Sequence, residues 1–457
     1  MTARARRPSG GRLGQVSHKY PKTYTLQLAA IWRPQARPTL QAANSTRGRT
    51  RPQSAPETNG DLRARPVFDG IRIIDLSQVA AGPYGISLMG DMGADVIKVE
   101  PPAGESFRTI DNMIAPGESG YFYGINRSKR AITVNLATDK GREILEQLVR
   151  TADVFVLAFR PDAVERMGIG YEQLIKINPS LIYCQITAFG ESGPLAQDPG
   201  MDILAQALSG VMGMTGEPDR APVKVGPPIA DFVVSFLAAF AIAGALRVRD
   251  RDGVAQKVSL NLLDGQFATI ANYVTPYLIN GEPIERAGGG HPQVVPYQVF
   301  AASDGDMIVA CLNDRFWPPL CEAIERPDLI DHPHFATNPV RNRYRDELIP
   351  ILVELFKTKT RNEWIERMRV RSVPCSRVNN LEQAVVEEQI LHNGMLTELE
   401  HPVFGKYKVV NNPIKMSETP PAPFGYAPML GEHNAEVLAE LGYTLADLEQ
   451  LKKDGVI

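Results

Sequence analysis

The sequence predicts an α/β domain, a parallel sheet covered by helices on both faces, followed by a smaller α+β domain. Two observations carry that prediction. Short apolar strands alternate with helical stretches from residue 70 to residue 186, and a glycine-rich break at 288–292 is followed by a hairpin pattern and then mostly helices. Composition sets the frame: 457 residues, 44% hydrophobic and 22% charged, make an ordinary globular chain of roughly three domain-sized units at about 150 residues each. Disordered, collagen-like and disulfide-scaffold chains are excluded by the same figures.

The alternation opens with Gly70-Ile-Arg-Ile-Ile-Asp-Leu76 as a strand. Ala81-Gly-Pro83 is a turn whose proline opens a helix over 84–92, and a second strand over 94–100 completes a β-α-β unit. Strands over 131–135, 153–157 and 181–186 follow, separated by helices over 140–150 and 162–177. Residues 200–246 read as mostly helical, 257–261 as a strand and 263–278 as one long helix. Three successive glycines, Gly288, Gly289 and Gly290, then break the pattern. They cost backbone entropy on ordering, so the loop holding them needs close backbone approach or freedom to move. Beyond them come a hairpin over 297–312 turning at Ser303-Asp-Gly-Asp306, helices over 316–324, 344–356 and 361–369, and a strand over 374–378. A proline-rich connector over 411–429 leads into terminal helices over 432–453. The predicted division is a basic extension over 1–65, a large domain from 66–292 with 411–457, and a small α+β domain over 293–410.

With 49 Lys and Arg against 52 Asp and Glu, the net charge of −3 offers no global basic field for nucleic acid or an anionic membrane. The charge is unevenly spread: residues 1–56 hold nine Arg, two Lys and no acid, which puts +11 on this arm and leaves −14 for the remainder. An Arg-rich, acid-free arm reads as an organellar transit peptide, a disordered extension or a wrongly chosen start codon, and it lacks the apolar stretch of a secretory signal. Four widely spaced cysteines, Cys184, Cys311, Cys321 and Cys375, show no zinc or disulfide pattern and suit a reducing compartment. A cytoplasmic protein is expected, or a mitochondrial matrix one where the arm is a transit peptide. His332 and His334 beside Asp331 lie between prolines in a polar linker, so no metal is expected. The longest apolar run, 232–246, is shorter than the ~20 residues a membrane span needs and reads as a buried helix of a soluble protein. No G-x-G-x-x-G follows the first strand and no G-x-x-x-x-G-K-[ST] occurs, so neither NAD nor ATP is indicated.

The most informative carboxylate is Asp231, placed where a helix should begin, directly before that apolar run. Amide hydrogen bonds and the positive end of the helix dipole are expected to keep it ionised there. On the residues alone two readings stand: a plain helix N-cap, or a nucleophile toward an activated acyl group.

Further motifs separate them. Gly70-Ile-Arg-Ile-Ile-Asp-Leu, Ala81-Gly-Pro83, Gly93-Ala-Asp-Val-Ile-Lys-Val-Glu100, Asn126-Arg-Ser-Lys-Arg130, Arg166-Met-Gly168, Gly200-Met-Asp202, Thr215-Gly216, Ala230-Asp-Phe232 and Leu430-Gly-Glu-His433 stand in the order seen in family III CoA-transferases, the group of formyl-CoA and carnitine CoA-transferases. From about residue 67 to the end the chain resembles that family. The resemblance implies a Rossmann-like large domain, a smaller domain, and a homodimer of two chains interlocked as rings. It puts the nucleophilic aspartate on Asp231 and implies an aspartyl anhydride and an aspartyl-CoA thioester as intermediates, with CoA as substrate and no permanently bound cofactor. Acyl-CoA and carboxylic acid are the implied partners. The family's mobile glycine-rich loop matches Gly288 to Gly290, whose amides can also stabilise an oxyanion. Lys98, Lys129, Arg130 and Arg166 lie in matching motifs near the nucleotide, which makes them candidate contacts for the phosphates of CoA or else solvated surface charges.

One departure bears on substrate. Formyl-CoA transferase carries a glutamine two residues before the Gly-Pro of the first turn; here Ala80 stands there, and Gln78 is the candidate to serve instead. Val295-Pro-Tyr-Gln-Val-Phe300, Leu391-His-Asn-Gly394 and Glu400-His-Pro402 look more like dicarboxylate-type members, which move CoA between succinyl-CoA and a second dicarboxylic acid. The superfamily also holds 2-methylacyl-CoA racemases, which need a base on each side of the α-carbon. Their histidine and glutamate fall on Met201 and Asn313, neither of which carries a proton, so transfer is preferred. A non-catalytic CoA-binding protein is the remaining alternative, with Asp231 as a cap only.

Overall fold

The computed structural model describes residues 65–110, 113–115, 118–421 and 425–457. The basic arm expected over 1–65 falls outside them but for Arg65. The chain begins with β1 (Arg72–Leu76), α1 (Pro83–Asp91) and β2 (Asp95–Glu100). A short ribbon, β3 (Met113–Ala115) with β4 (Glu118–Ser119), and α2 (Gly120–Ile125) precede β5 (Arg130–Thr133), α3 (Asp139–Thr151), β6 (Val154–Leu157), α4 (Pro161–Met167), α5 (Tyr171–Ile177) and β7 (Ile182–Thr187). Next come α6 (Asp202–Leu208), α7 (Ile229–Asp252), β8 (Lys257–Asn261), α8 (Leu262–Ala268) and α9 (Ala271–Asn280).

Six of these strands form one parallel sheet in the order β5-β2-β1-β6-β7-β8. The chain lays strands outward from β1 on one side, then returns to the other side with β6. That reversal is a topological switch point, where α/β sheets bind ligands beyond the carboxyl ends of their strands. Strands buried on both faces explain the continuous apolar runs: every residue of β6 and β7 is buried. On one face Ile144, Leu148, Leu174, Val437 and Leu451 close a core over Ile74, Phe155 and Tyr183; on the other Ile86, Met89, Val234, Ala238 and Ile242 close a second over Ile73, Val156 and Ile182.

The second face rests on α7, which is longer than the apolar run predicted it from and is not buried all round. Val234, Ala238, Ile242 and Ala245 face the sheet, whereas Phe236 and Phe240 stand exposed. By length and composition α7 alone among the described helices is long and apolar enough to cross a membrane, and its packing on the sheet is that of a core helix. A close crossing seats it: Gly85 of α1 donates its N–H to Ser235 Oγ at 2.6 Å, and a Cβ on Gly85 would lie 2.0 Å from the Ser235 carbonyl oxygen.

The remainder is β9 (Tyr297–Ala302), β10 (Gly305–Ala310), α10 (Trp317–Ala323), α11 (Asn338–Arg343), α12 (Arg345–Phe356), α13 (Arg361–Val370) and β11 (Cys375–Arg377), then α14 (Leu381–Ala384), α15 (Glu388–His392), β12 (Leu396–His401), β13 (Gly405–Val410), α16 (Asn434–Glu440) and α17 (Leu445–Lys453). β9, β10 and β11 form an antiparallel sheet over a core of Phe300, Met307, Trp317, Leu348 and Trp364. The antiparallel pair β12–β13 was not expected from sequence, and the single helix expected over 263–278 is two, α8 and α9.

Candidate active site

Asp231 is the third residue of α7, not its cap. The first residue of the helix follows Pro228, which offers no side-chain cap. The exposed amides are satisfied from α6 instead: Asp202 Oδ1 accepts from the N–H of Ala230 at 2.8 Å and of Asp231 at 3.4 Å. The other Asp202 oxygen accepts from Gln206 Nε2 at 2.6 Å, and Gln206 Oε1 accepts from the N–H of Val225 at 2.9 Å. One carboxylate and one amide therefore fix both the start of α7 and the segment leading to it.

With its helix already capped, the Asp231 carboxyl receives no hydrogen bond from any of the described residues, and Asp231 is only 6% exposed. Burial, followed by the charge of Asp202, pushes its pKa up to about 7. The expectation that this carboxylate is held firmly ionised by the helix end is thus corrected: loss of water outweighs the dipole here.

The carboxyl faces a cavity of about 420 Å³ at the carboxyl ends of the sheet. Gln78 and Val79 come from the loop after β1, Phe159 and Arg160 from the loop after β6, Ala188 from the end of β7, and Tyr121, Phe107, Met201, Asp202 and Lys224 complete much of the wall. Gln78 and Asp231 are therefore brought together. Val79 adopts φ 64°, a left-handed conformation that a β-branched residue rarely takes. Such strain persists only where surroundings impose it. Here Asp75 Oδ1 accepts from the Ser77 N–H at 2.9 Å and from its hydroxyl, and Lys98 Nζ donates to the Ser77 carbonyl at 2.9 Å. Lys98 in turn pairs with Glu105 at 2.7 Å and Lys129 with Asp75 at 2.8 Å, all four side chains fully buried.

These pairings correct the basic-residue expectations. Lys98 and Lys129 are interior ion-pair partners that brace the β1 loop and offer no open charge to a phosphate. Arg130 sits at the amino end of β5, away from the cavity, where it forks onto Asp95 at 2.7 and 2.8 Å and reaches Glu436 and Glu440. Arg166 is exposed on α4, 3.6 Å from Asp162, and does not line the cavity. None of Gly288, Gly289 and Gly290 lines it either. The Gly288 N–H donates to the Gly216 carbonyl at 3.1 Å, its φ is 57°, and the Glu217 carboxylate occupies the space a side chain would need. In this chain the triplet is a packed bend. Arg160, Lys224, Tyr121 and Gln206 were missed; Lys224 lies in a stretch read as mostly helical, where the prolines and glycines over 216–228 were the available signal for irregular backbone.

The position where the racemases' histidine falls offers no proton carrier. Met201 lines the cavity beside Asp202, and a thioether carries no proton. Burial, followed by the charge of Asp231, pushes the Tyr121 phenol up to about 12.

Comparison with known proteins identifies the family. The family model for CoA-transferase family III matches residues 68–434. The chain is 36% identical over 409 residues to human succinyl-CoA:glutarate CoA-transferase, covering 89% of this chain and 92% of that protein. It is 38% identical over 384 residues to succinyl-CoA:mesaconate CoA-transferase of Haloarcula marismortui, covering 82% and 96%. The crystal structure of a CAIB/BAIF family protein from Brucella suis superposes with a TM-score of 0.74 at 34% identity, covering 83% of this chain and all of that one.

Proposed function

This chain belongs to CoA-transferase family III, and we propose that it moves CoA from succinyl-CoA to a second dicarboxylic acid with Asp231 as the nucleophile. One observation carries the residue assignment: Asp231 presents the single buried carboxyl in the cavity wall whose oxygens no described donor has claimed, whereas Asp202 has committed both of its oxygens.

In the first step a carboxylate oxygen of Asp231 attacks the thioester carbon, the C–S bond breaks, and CoA thiolate leaves behind a mixed anhydride. The thiolate then attacks the Asp231 carbonyl, freeing succinate and leaving an aspartyl-CoA thioester. The acceptor carboxylate attacks that thioester, expelling thiolate and forming a second anhydride. Thiolate finally attacks the acceptor's acyl carbon, which releases the new acyl-CoA and restores the Asp231 carboxylate. Anhydride and thioester are both activated acyl groups, so no ATP, metal or net proton transfer is needed. A carboxylate with a pKa near 7 is a better nucleophile than an ordinary aspartate and is still half ionised at neutral pH.

The reaction is assigned to an interlocked homodimer. Phe240, Leu278 and Ile279, each at least three-quarters exposed, leave apolar surface on α7 and α9 that a second copy would cover.

Mass spectrometry after hydroxylamine trapping with succinyl-CoA should find the adduct on Asp231. Undiminished transfer by Asp231→Ala would refute the assignment. Deuterium wash-in at the α-carbon without an acceptor acid would favour the racemase reading. Sedimentation should give a dimer at micromolar concentration.

A further inference from the structure

We infer that Lys224 receives the free carboxylate of the dicarboxylic substrate while the other carboxyl is bonded at Asp231. This rests on the reading of Asp231 as nucleophile and adds the residue that selects diacids. Once one end of a diacid is acylated, its far end stays anionic in a cavity walled largely by Phe107, Tyr121, Phe159, Ile186 and Leu262. A carboxylate in such surroundings needs a cation.

Among the described residues the cavity wall offers two cations, Arg160 and Lys224. Arg160 is engaged: its Nε lies 3.5 Å from Asp162 and Nη1 donates to the Gln197 carbonyl at 3.2 Å. Lys224 forms no ion pair among the described residues. Its ammonium rests on the carbonyls of Gly226 at 2.6 Å and Val225 at 3.2 Å, two neutral acceptors that leave its charge unmatched and one N–H open. The backbone carrying it is not loose. Val225 is tied to Gln206, the residue that also holds the cap of the Asp231 helix, so nucleophile and ammonium hang from one support.

The test is a competition. Glutarate and monomethyl glutarate, which share a five-carbon chain and differ at the far end by a methyl group that cancels the charge, are offered together with succinyl-CoA, and the two CoA products are counted by mass spectrometry. Both acceptors draw on the same aspartyl-CoA intermediate, so the product ratio cancels any effect on the donor step. The wild-type chain should favour glutarate, and Lys224→Met should shrink that preference roughly ten- to hundredfold, the worth of a charge-assisted hydrogen bond. Lys224→Arg should keep most of it. A wild-type chain indifferent to the ester, an unchanged ratio in Lys224→Met, or a collapse caused by Arg160→Met instead would each overturn the inference. Failure of the nucleophile assignment is read separately, by the absence of a trapped adduct on Asp231 in the wild-type chain.

Discussion

Replacing Asp231 with asparagine should abolish transfer and at the same time stabilise the folded chain, by an amount that depends on pH. The side chain is nearly isosteric, and none of the described residues donates to the carboxyl a bond that the amide would displace. What the substitution removes is the cost of ionising a buried acid beside Asp202. The gap between an ordinary aspartate near 3.8 and a carboxyl at about 7 corresponds to roughly 4 kcal/mol at most. Between these values the folded chain holds a proton that the unfolded chain has lost, so stability falls as pH rises from about 4 to about 7 and levels off above. The benefit of Asp231→Asn should accordingly be absent near pH 4 and fully present at pH 8, where it amounts to an increase in Tm on the order of 5 °C. Calorimetry of both proteins at pH 4.5, 6 and 8 reads it. A difference in Tm that does not grow with pH would show that Asp231 ionises as an exposed aspartate does, and the argument for its basicity would fail.

The remaining predictions concern the supports of the site. The acid limb of the rate of adduct formation should lie near pH 7, falling about tenfold per pH unit below it, and Asp202→Asn should move the limb downward because a like charge is removed; a limb that stays fixed in Asp202→Asn would sink the electrostatic account. Lys98→Met strands Glu105 in the interior and should cost about 3–5 kcal/mol, measured by urea unfolding, whereas Lys98→Met with Glu105→Leu should recover much of that loss. Gly85→Ala should push α7 off α1, lowering stability by about 1–3 kcal/mol and reducing adduct formation on Asp231, which lies one turn from the clash at Ser235. Retained stability and activity in that variant would mean the helix crossing does not position the nucleophile.

The sheet was legible because its residues obey a strong local rule. Strands buried on both faces must be largely apolar, and helices between them must be amphipathic, so β1, β2, β6 and β7 fall within a residue or two of where the sequence pattern puts them. Elements that answer to weaker rules were not. Leu396 to His401 alternates poorly, and the pair it forms with Gly405 to Val410 is held in part by a surface contact between Glu398 and Lys406, which no periodicity announces. The helix expected over 263–278 keeps its apolar spacing across the break between α8 and α9. There the Thr269 hydroxyl donates to the Gln266 carbonyl at 2.6 Å, a local bond that takes an acceptor the helix would have used.

At the site the same distinction operates. Asp231 was visible because a carboxylate ahead of a long apolar run is conspicuous, but the sequence assigned its environment to the wrong partner. A helix start makes an aspartate look like a cap only while no other carboxylate competes for the amides. Asp202, 29 residues earlier and on a different helix, takes those amides. The basic residues fail for a different reason: Lys98 and Lys129 lie in motifs that resemble the family's nucleotide contacts, but their charges are paired with Glu105 and Asp75 and hold the loop of Gln78 and Val79. Arg160 and Lys224 lie in irregular segments with no period to read, and they are the cations left at the cavity wall. The paired lysines therefore serve the geometry of the β1 loop, and the ligand role proposed above falls to Lys224, which has no ion-pair partner among the described residues. The loss on Lys98→Met should therefore appear in stability and adduct rate for every acyl donor, and that on Lys224→Met in the choice between acceptors.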